Sequence, residues 1–430
     1  MQAQAERLIH QLNDARELTC ALISHLSAEQ MIGPRLKTTN PLRWEMGHVA
    51  YFYEFWILRH HFGEAPLIPE IDELFDSINI AHETRWDLNL PSLEETHAYM
   101  EAVRQKVIDH LSNGKTDPVR DYLTQYAIFH EDMHCEAFTY TRQTLAYPAP
   151  ELNYNNAISC EDCSIDTDIA IPAGTFELGA DKSKSEFVFD NEKWSHVVSV
   201  APYHISQYAV CNKQFAEFVE AGGYQQPEYW SAEGWQWKLD QNLSHPVYWR
   251  SRHSAWEVRW FDQWYPLQEY SAVVNISWHE AQAYCQWANR RLPTELEWEV
   301  AAAGEFIEDS QTYAKRYYPW GNHPPDNSRV NMDSSRPGTI DVRALAAGDS
   351  ASGCRQMIGN VWEWTDTTFA PYPNFVPDMY ADYSQPLFNQ TKILRGGCWA
   401  TRSRMIRNTW RNYYGPDRND VFAGFRTCAV

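Results

Sequence analysis

The sequence has no long apolar run and few basic residues for its length. No stretch of the 430 residues approaches the roughly 18 apolar residues of a membrane span, and residues 1–24 lack the apolar segment of a signal peptide. We therefore expect a cytoplasmic protein. Lys and Arg total 36 against 57 Asp and Glu, a formal charge of −21. Such an acidic chain would be repelled by nucleic acids and anionic membranes, which favours small-molecule partners.

Paired cysteines are also scarce. The nine cysteines are scattered singly except for Cys160 and Cys163, and no second pair is present to complete a zinc site. We expect reduced thiols and interpret this pair as incidental. Aromatic residues, in contrast, make up 14% of the chain and include 19 tryptophans. They suit rigid pocket walls or the core of a loop-rich fold.

The N-terminal part of the chain is helical by its pattern. Residues 1–150 carry four amphipathic stripes, which predict an antiparallel four-helix bundle. The connection over residues 66–91 is too long for a simple turn, and loops of that length are more often functional than idle. A polar linker follows over residues 151–168.

The C-terminal part, residues 169–430, has a different pattern. Turns rich in Gly, Pro, Asn and Trp recur, and two clear helices are predicted, one after Lys213 and one over Ser277–Asn289. Short strands and long loops fixed by turn residues predict an irregular α+β domain.

The sharpest chemical signal is a pair of histidines, His130 and His134. At a spacing of four residues their side chains share one helix face, about 6 Å apart at their bases, and can bind a metal ion together. Hydrogen-bonded histidines inside a bundle would have the same spacing. However, His48 lies on the apolar stripe of another helix, and three imidazoles favour a metal site for zinc, iron or copper. Glu136 points away from the pair, so we expect it to support the ligands or the helix.

Several short motifs recur throughout the second part, at residues 171–179, 293–299, 359–365, 395–397 and 423–426. Together they resemble the motifs of the formylglycine-generating-enzyme-like domain, which has a C-type-lectin-like fold. Formylglycine-generating enzymes bind copper through two cysteines, and this chain has Met405 and Trp410 at the matching positions. Neither side chain offers the thiolate that this copper chemistry needs.

A DinB-like bundle followed by such a domain resembles the ergothioneine-type sulfoxide synthases, including the related selenoneine synthases. The resemblance implies that His48, His130 and His134 bind iron(II), Fe(2+). It implies an O2-dependent enzyme of ergothioneine biosynthesis that joins a thiol donor to C2 of the imidazole of hercynine, giving a sulfoxide. It also implies that the second domain covers the bundle face and excludes water.

The same resemblance implies roles for residues of the second part. A tyrosine shortly after the Trp-Glu-Trp-Thr motif donates a proton in the family. Tyr372 is the candidate here, with Tyr380 and Tyr383 as alternatives. Asn412 and Tyr413 match positions that contact hercynine.

Departures from the family pattern concern substrate recognition. In some relatives an acidic residue helps to hold an amino-acid-like donor. This chain has Tyr414 at the matching position. Others have Gln where this chain has Met133, so recognition of the substrate imidazole is expected to differ. Arg418 is expected to bind one donor carboxylate.

The long loop leaves the identity of the donor open. Relatives that use γ-glutamylcysteine have paired arginines there, which bind its carboxylates bidentately, whereas this chain has Arg85 without an adjacent partner. Cysteine is an alternative donor. A selenosugar, which would make the chain a selenoneine synthase, is another, and Trp86 and Asp87 would suit a sugar.

Two other functions are compatible with the sequence. A non-catalytic ligand-binding module would use the second domain for recognition and the bundle as a scaffold, without a redox metal. A zinc thiol-transferase would share the bundle and the histidine ligands but would be indifferent to O2.

Overall fold

The computed structural model describes residues 2–113, 115–155, 160, 163–183 and 187–430. The chain divides into two compact units. The first comprises Met1–Leu152 with Phe261–Gln263, and the second comprises Asn153–Trp260 and Trp264–Val430. Of the predicted linker, residues 156–159 and 161–162 lie outside the described residues. None of the helices described combines the length and the apolar character that a membrane span requires.

The first unit is the predicted bundle, built in its described part from four long helices and one short one. The helices are α1 (Gln2–Ile23), α2 (Leu42–Tyr53), α3 (Asp72–Phe75), α4 (Leu93–Asn113) and α5 (Pro118–Thr144). Helix α2 continues as a π-helical segment, Glu54–His61, and the short helix α3 lies in the long loop. Helix α1 packs mainly against α5, and α2 packs against α4 and α5.

Local chemistry fixes where α5 begins and how it meets α1. The side chain of Asp117 accepts hydrogen bonds from the backbone N–H groups of Val119 and Arg120, which caps the helix. Inside the bundle, the buried Glu131 accepts a hydrogen bond from Arg16 Nε at 2.8 Å. A buried carboxylate needs such a partner, so this pair fixes the register between the two helices.

The second unit has the predicted irregular α+β character. In its described part the helices are α6 (Asn212–Glu220), α7 (Ala232–Asp240), α8 (Trp278–Trp287) and α9 (Glu295–Ala303). The strands are β1 (Asp168–Ile171), β2 (Gly174–Leu178), β3 (His196–Val200), β4 (Tyr203–Ser206), β5 (Trp249–Arg252), β6 (Ala255–Trp260), β7 (Gln263–Pro266), β8 (Arg290–Arg291), β9 (Gly304–Ile307), β10 (Thr312–Lys315), β11 (Trp362–Thr368), β12 (Lys392–Arg395), β13 (Asn412–Tyr414), β14 (Ala423–Gly424) and β15 (Cys428–Ala429).

These strands form four small sheets within the described residues. Three have four strands each, in the orders β1-β4-β15-β8, β3-β2-β10-β9 and β13-β12-β11-β14, and the fourth has the order β5-β6-β7. Most pairs are antiparallel, but β2 pairs with β10, and β11 with β14, in parallel. The sheets therefore join segments that are far apart in the sequence.

The expectation of two helices in this unit was wrong, because α7 and α9 are also present. Each begins at a capping side chain: Ser231 Oγ accepts from Gly234 N, and Thr294 forms a reciprocal capping box with Glu297. Along α9, Trp298 and residues 300–303 are all buried. A helix buried on most sides has no amphipathic stripe, so periodicity does not reveal it.

The core of the second unit combines apolar packing with buried ion pairs. Arg395, fully buried, donates to Glu295 at 2.7 Å and to Glu299 at 2.5 Å. The next residue, Gly396, has φ +96, and a Cβ there would lie 2.5 Å from the Met357 carbonyl oxygen. The Arg-Gly-Gly motif therefore serves the fold, since a side chain at this glycine would clash.

Candidate metal centre

Three histidine side chains converge inside the first unit. His48 comes from α2, and His130 and His134 come from successive turns of α5. Each offers one ring nitrogen, and these three atoms lie within 4.8 Å of one another. His48 and His130 are buried, whereas His134 is partly exposed. The helical periodicity thus correctly places the three imidazoles on facing helices.

Aromatic side chains of α2 hold two of the three imidazole rings. Trp44, one turn before His48, stacks on it with ring centroids 4.9 Å apart and planes within 7°. Phe52, one turn after His48, stacks on His130 with centroids 3.9 Å apart. Residues four apart share a helix face, so one face of α2 supplies His48, the ring that stacks on it, and the ring that stacks on His130.

A carboxylate orients His134. Oε1 of Glu45, a buried residue of α2, lies 2.6 Å from Nδ1 of His134. A carboxylate accepts hydrogen bonds, so Nδ1 carries the proton and Nε2 keeps its lone pair. Histidine ligands of metal ions commonly have such a partner. Sequence reasoning missed Glu45, although its position three residues before His48 places it near the same helix face.

A backbone carbonyl orients His48 in the same way. Nδ1 of His48 donates to the Phe75 carbonyl oxygen at 2.9 Å, at the end of α3. The close approach of α3 to α2 depends on Gly47, because a Cβ there would lie 2.1 Å from Cζ of Phe75. Nε2 of His48 is thereby left with its lone pair.

The environment keeps two of the imidazoles neutral. Burial lowers the pKa of His48 to about 3. The neighbouring His134 and Arg85 side chains act in the same direction, and the hydrogen bond to the Phe75 carbonyl opposes them. Burial, followed by the neighbouring His134 and His48, lowers the pKa of His130 well below its ordinary value. Neutral imidazoles are the form that binds metal ions.

This donor set fits a divalent transition-metal ion. Nε2 of His134 lies 3.3 Å from Nε2 of His130, so one cation can be reached by both nitrogens. Three neutral imidazoles suit zinc, iron or copper, and they leave further coordination positions for small molecules. The arrangement can therefore hold a metal ion that also binds reactants.

Two further predicted residues lie on α5 near the histidine pair. Met133 directly precedes His134 and is partly buried. Glu136 is buried, and its supporting role stays a prediction.

The residues of the long loop that were predicted to bind the donor, Arg85, Trp86 and Asp87, contact different parts of the first unit. The guanidinium of Arg85 lies over the Trp44 ring, 3.9 Å from its centroid. Asp87 forms an ion pair with Arg35 at 2.5 Å, and Arg35 also lies 5.9 Å from the Trp86 ring centroid. Arg85 therefore belongs to the wall of the histidine cluster.

Tyr372 lies in the hydrophobic core of the second unit. Its hydroxyl donates to Glu295 at 3.3 Å, and the Arg411 guanidinium lies 4.0 Å from its ring centroid. Burial, and then the negative charge of Glu295, raise the pKa of Tyr372 well above its ordinary value. The hydroxyl therefore keeps its proton at neutral pH, and its role as a proton donor stays a prediction.

Asn412 and Tyr413 lie on strand β13 of the same unit. The Asn412 side-chain oxygen accepts from the backbone N–H of Tyr413 at 2.9 Å. The Tyr413 ring stacks on Phe369 with centroids 4.1 Å apart, and its hydroxyl donates to the Tyr383 carbonyl oxygen. These contacts fix both side chains, and their predicted contacts with hercynine stay predictions.

Arg418 and Tyr414, further along the chain, are in contact with each other, and Arg418 also forms an ion pair. Arg418 donates to both carboxylate oxygens of Asp420, at 2.6 and 2.8 Å, and its guanidinium lies 5.0 Å from the Tyr414 ring centroid. Met405 and Trp410, which the resemblance matches to the copper-binding cysteines of formylglycine-generating enzymes, are both buried.

The cysteine pair lies in the second unit. Cys160 is exposed, and Sγ of Cys163 lies 3.3 Å from the Tyr208 hydroxyl. Residues 161–162 between them are outside the described part of the chain, so the interpretation of the pair as incidental stays a prediction.

A helical bundle with an internal three-histidine cluster, followed by an irregular α+β domain, defines the class of this protein. The DinB superfamily matches residues 11–138, and the sulfatase-modifying factor enzyme 1-like domain matches residues 155–429. Comparison with known proteins identifies the family more closely. The chain belongs to the family of the hercynine oxygenases.

Two hercynine oxygenases support this assignment, and a formylglycine-generating enzyme matches part of the chain. The hercynine oxygenase of Mycolicibacterium smegmatis is 34% identical over 434 residues, covering 98% of each chain. That of Mycobacterium tuberculosis is 34% identical over 427 residues, again covering 98% of each chain. The formylglycine-generating enzyme of Thermomonospora curvata is 29% identical over 61% of this chain and 92% of its own. The predicted resemblance is thereby confirmed over nearly the full length.

Proposed function

We propose that this protein is an iron(II)-dependent enzyme that uses O2 to join a thiol donor to C2 of the hercynine imidazole, giving a sulfoxide. The observation that carries the proposal is the convergence of three ring nitrogens, from His48, His130 and His134, within 4.8 Å. Full-length similarity to proteins named hercynine oxygenase supports the choice of substrate.

Iron, when bound, would supply open coordination positions at which hercynine, the donor and O2 are brought together. The chain's own residues prepare the ligands. Glu45 holds the Nδ1 proton of His134 and the Phe75 carbonyl holds that of His48, so both Nε2 atoms are available as ligands. Burial keeps His48 and His130 neutral, so no proton has to leave these rings before the metal binds.

Product analysis tests this function and the identity of the donor. Protein loaded with iron(II) without oxygen receives hercynine and one of three donors, γ-glutamylcysteine, cysteine or a selenosugar, before O2 is admitted. We expect O2 consumption and a hercynine sulfoxide by mass spectrometry with a thiol donor. Product from the selenosugar alone would make the chain a selenoneine synthase.

Two other outcomes would contradict the proposal itself. No bound iron and no O2 consumption with any donor would favour a non-catalytic binding module. Tight zinc binding with thiol transfer in the absence of O2 would favour a zinc thiol-transferase.

A further inference from the structure

The wall of the histidine cluster contains a column of three stacked groups. The Arg85 guanidinium lies 3.9 Å from the centroid of the Trp44 ring, and Trp44 stacks in turn on His48 with planes within 7°. Trp44 is 1% exposed and His48 is 5% exposed. The cation, the indole and the imidazole are therefore packed in sequence, with the imidazole innermost.

Two consecutive carbonyl groups hold the inner members of the column. Nε1 of Trp44 donates to the Leu74 carbonyl oxygen at 2.7 Å, and Nδ1 of His48 donates to that of Phe75 at 2.9 Å. Both acceptors lie at the end of α3. The His48 ring cannot turn about its Cβ–Cγ bond without losing its hydrogen bond and displacing the indole.

The outer member of the column is fastened as well. Nη1 of Arg85 donates to the side-chain oxygen of Asn40 at 2.7 Å, and Nη2 donates to the carbonyl oxygens of Ser77 and Ile80 at 3.3 and 3.4 Å. A planar guanidinium on an aromatic face is a favourable contact that lysine does not reproduce. These contacts hold the guanidinium against the indole and use both of its terminal nitrogens for hydrogen bonds within the protein.

We propose that Arg85 is a positioning residue, which holds His48 in its metal-binding orientation through Trp44, and not the residue that grips the sulfur donor. The inference rests on the proposed function, because it assumes that His48 binds the metal. It assigns the donor carboxylates to other groups of the protein.

Metal binding and donor kinetics together test this role. Arg85→Met removes the planar cation, and Arg85→Lys keeps the charge without the plane. Arg35→Met is the matched control, because Arg35, in the connection between α1 and α2, also lies over an indole, that of Trp86, outside the column. For each variant we would measure cobalt(II) affinity and its visible absorption spectrum, iron(II) affinity without oxygen, and KM and kcat for the thiol donor.

We expect both Arg85 variants to bind cobalt(II) and iron(II) about tenfold more weakly and to show an altered cobalt(II) spectrum. The KM for the donor should change less than about twofold, since no donor contact is lost, and Arg35→Met should behave as the wild type. If Arg85→Met does not fold, Arg85→Lys decides.

Unchanged metal affinity and spectrum would overturn the positioning role, and a KM for the donor raised about tenfold would then assign Arg85 to the donor. These results are distinguishable from failure of the proposed function. A wild type that binds no metal would contradict the metal site and the positioning role together. A wild type that binds metal but does not convert hercynine would contradict only the reaction, because cobalt(II) binding still reports on Arg85.

Discussion

Glu45 and His134 lie on different helices of the bundle, and a carboxylate oxygen of Glu45 is 2.6 Å from Nδ1 of His134. Both ends of this contact are shielded, since the Glu45 side chain is 2% and the His134 side chain 17% exposed. The contact joins α2 to α5 at the histidine cluster. It fixes the tautomer of His134 and directs its other nitrogen toward His130.

Removing this carboxylate should weaken metal binding. Glu45→Ala leaves Nδ1 of His134 without its acceptor, so the imidazole can adopt the other tautomer or turn. We expect iron(II) affinity, measured by competition with a chelator in the absence of oxygen, to fall about 10- to 100-fold. Glu45→Gln is the control. Its amide oxygen can still accept the hydrogen bond from Nδ1 of His134, so its iron(II) affinity should fall much less. Equal affinity in the wild type and Glu45→Ala would show that His134 does not depend on Glu45.

A side chain at Gly47 should disturb the cluster through α3. In Gly47→Ala, the new Cβ meets the Phe75 ring at 2.1 Å, so α3 must move and withdraw the carbonyl that holds His48. We expect a loss of about 1–3 kcal/mol in the free energy of unfolding and weaker iron(II) binding.

A second substitution, Phe75→Leu, tests whether the clash with the Phe75 ring causes the effects of Gly47→Ala. Combined with Gly47→Ala, it provides space for the added methyl group, so part of the stability should return and the two changes should not be additive. Strict additivity would mean that the ring and the glycine do not constrain each other.

Helical periodicity predicted the bundle and the three histidines because apolar spacing and metal-ligand spacing are both local signals. The groups that form hydrogen bonds with the histidines could not be predicted in the same way. Glu45 meets His134 across 89 positions of sequence, and Phe75 contributes a carbonyl group, which any residue type would offer. No single-sequence pattern encodes either contact.

Arg85 shows a second limit of sequence reasoning. The resemblance implied donor recognition for it, because relatives that use γ-glutamylcysteine have paired arginines in the long loop, and this role stays a prediction. Its stacking on Trp44 depends on how the loop folds back onto α2, which no spacing reveals. In the second unit, α9 escaped the periodicity analysis because it is buried on most sides, although its capping box was visible in the sequence.

The predicted role of Tyr372 as proton donor can be tested apart from the metal site. Tyr372→Phe removes one hydroxyl and its 3.3 Å hydrogen bond to Glu295, at a cost of about 1 kcal/mol or less in stability. If Tyr372 donates the proton, kcat should fall about 10²- to 10⁴-fold while iron(II) affinity is unchanged. Normal turnover in Tyr372→Phe, with loss of turnover in Tyr383→Phe, would assign the role to Tyr383.

A buried glutamate should make stability depend on pH. Burial raises the pKa of Glu280 to about 7, although Tyr224 and Ser277 donate hydrogen bonds to it. Because its folded-state pKa is above its unfolded value, its contribution is fully present at low pH and is lost as pH rises toward 7 and beyond.

Glu280→Gln removes this titration while keeping one of the two acceptor oxygens. Relative to the wild type, its free energy of unfolding should therefore improve by about 2 kcal/mol between pH 5 and pH 8. Denaturant unfolding at both pH values measures the difference. A difference between the two proteins that does not vary with pH would mean that Glu280 is already ionised in the folded state at pH 5.

Iron content tests the central claim most directly. Protein prepared without oxygen, incubated with iron(II) and freed of excess metal should retain about one iron per chain. The His130→Ala variant, which keeps its helix but lacks one of the three imidazoles, should retain almost none. Equal iron in the two proteins would contradict the account, because the metal would then be held somewhere other than among His48, His130 and His134.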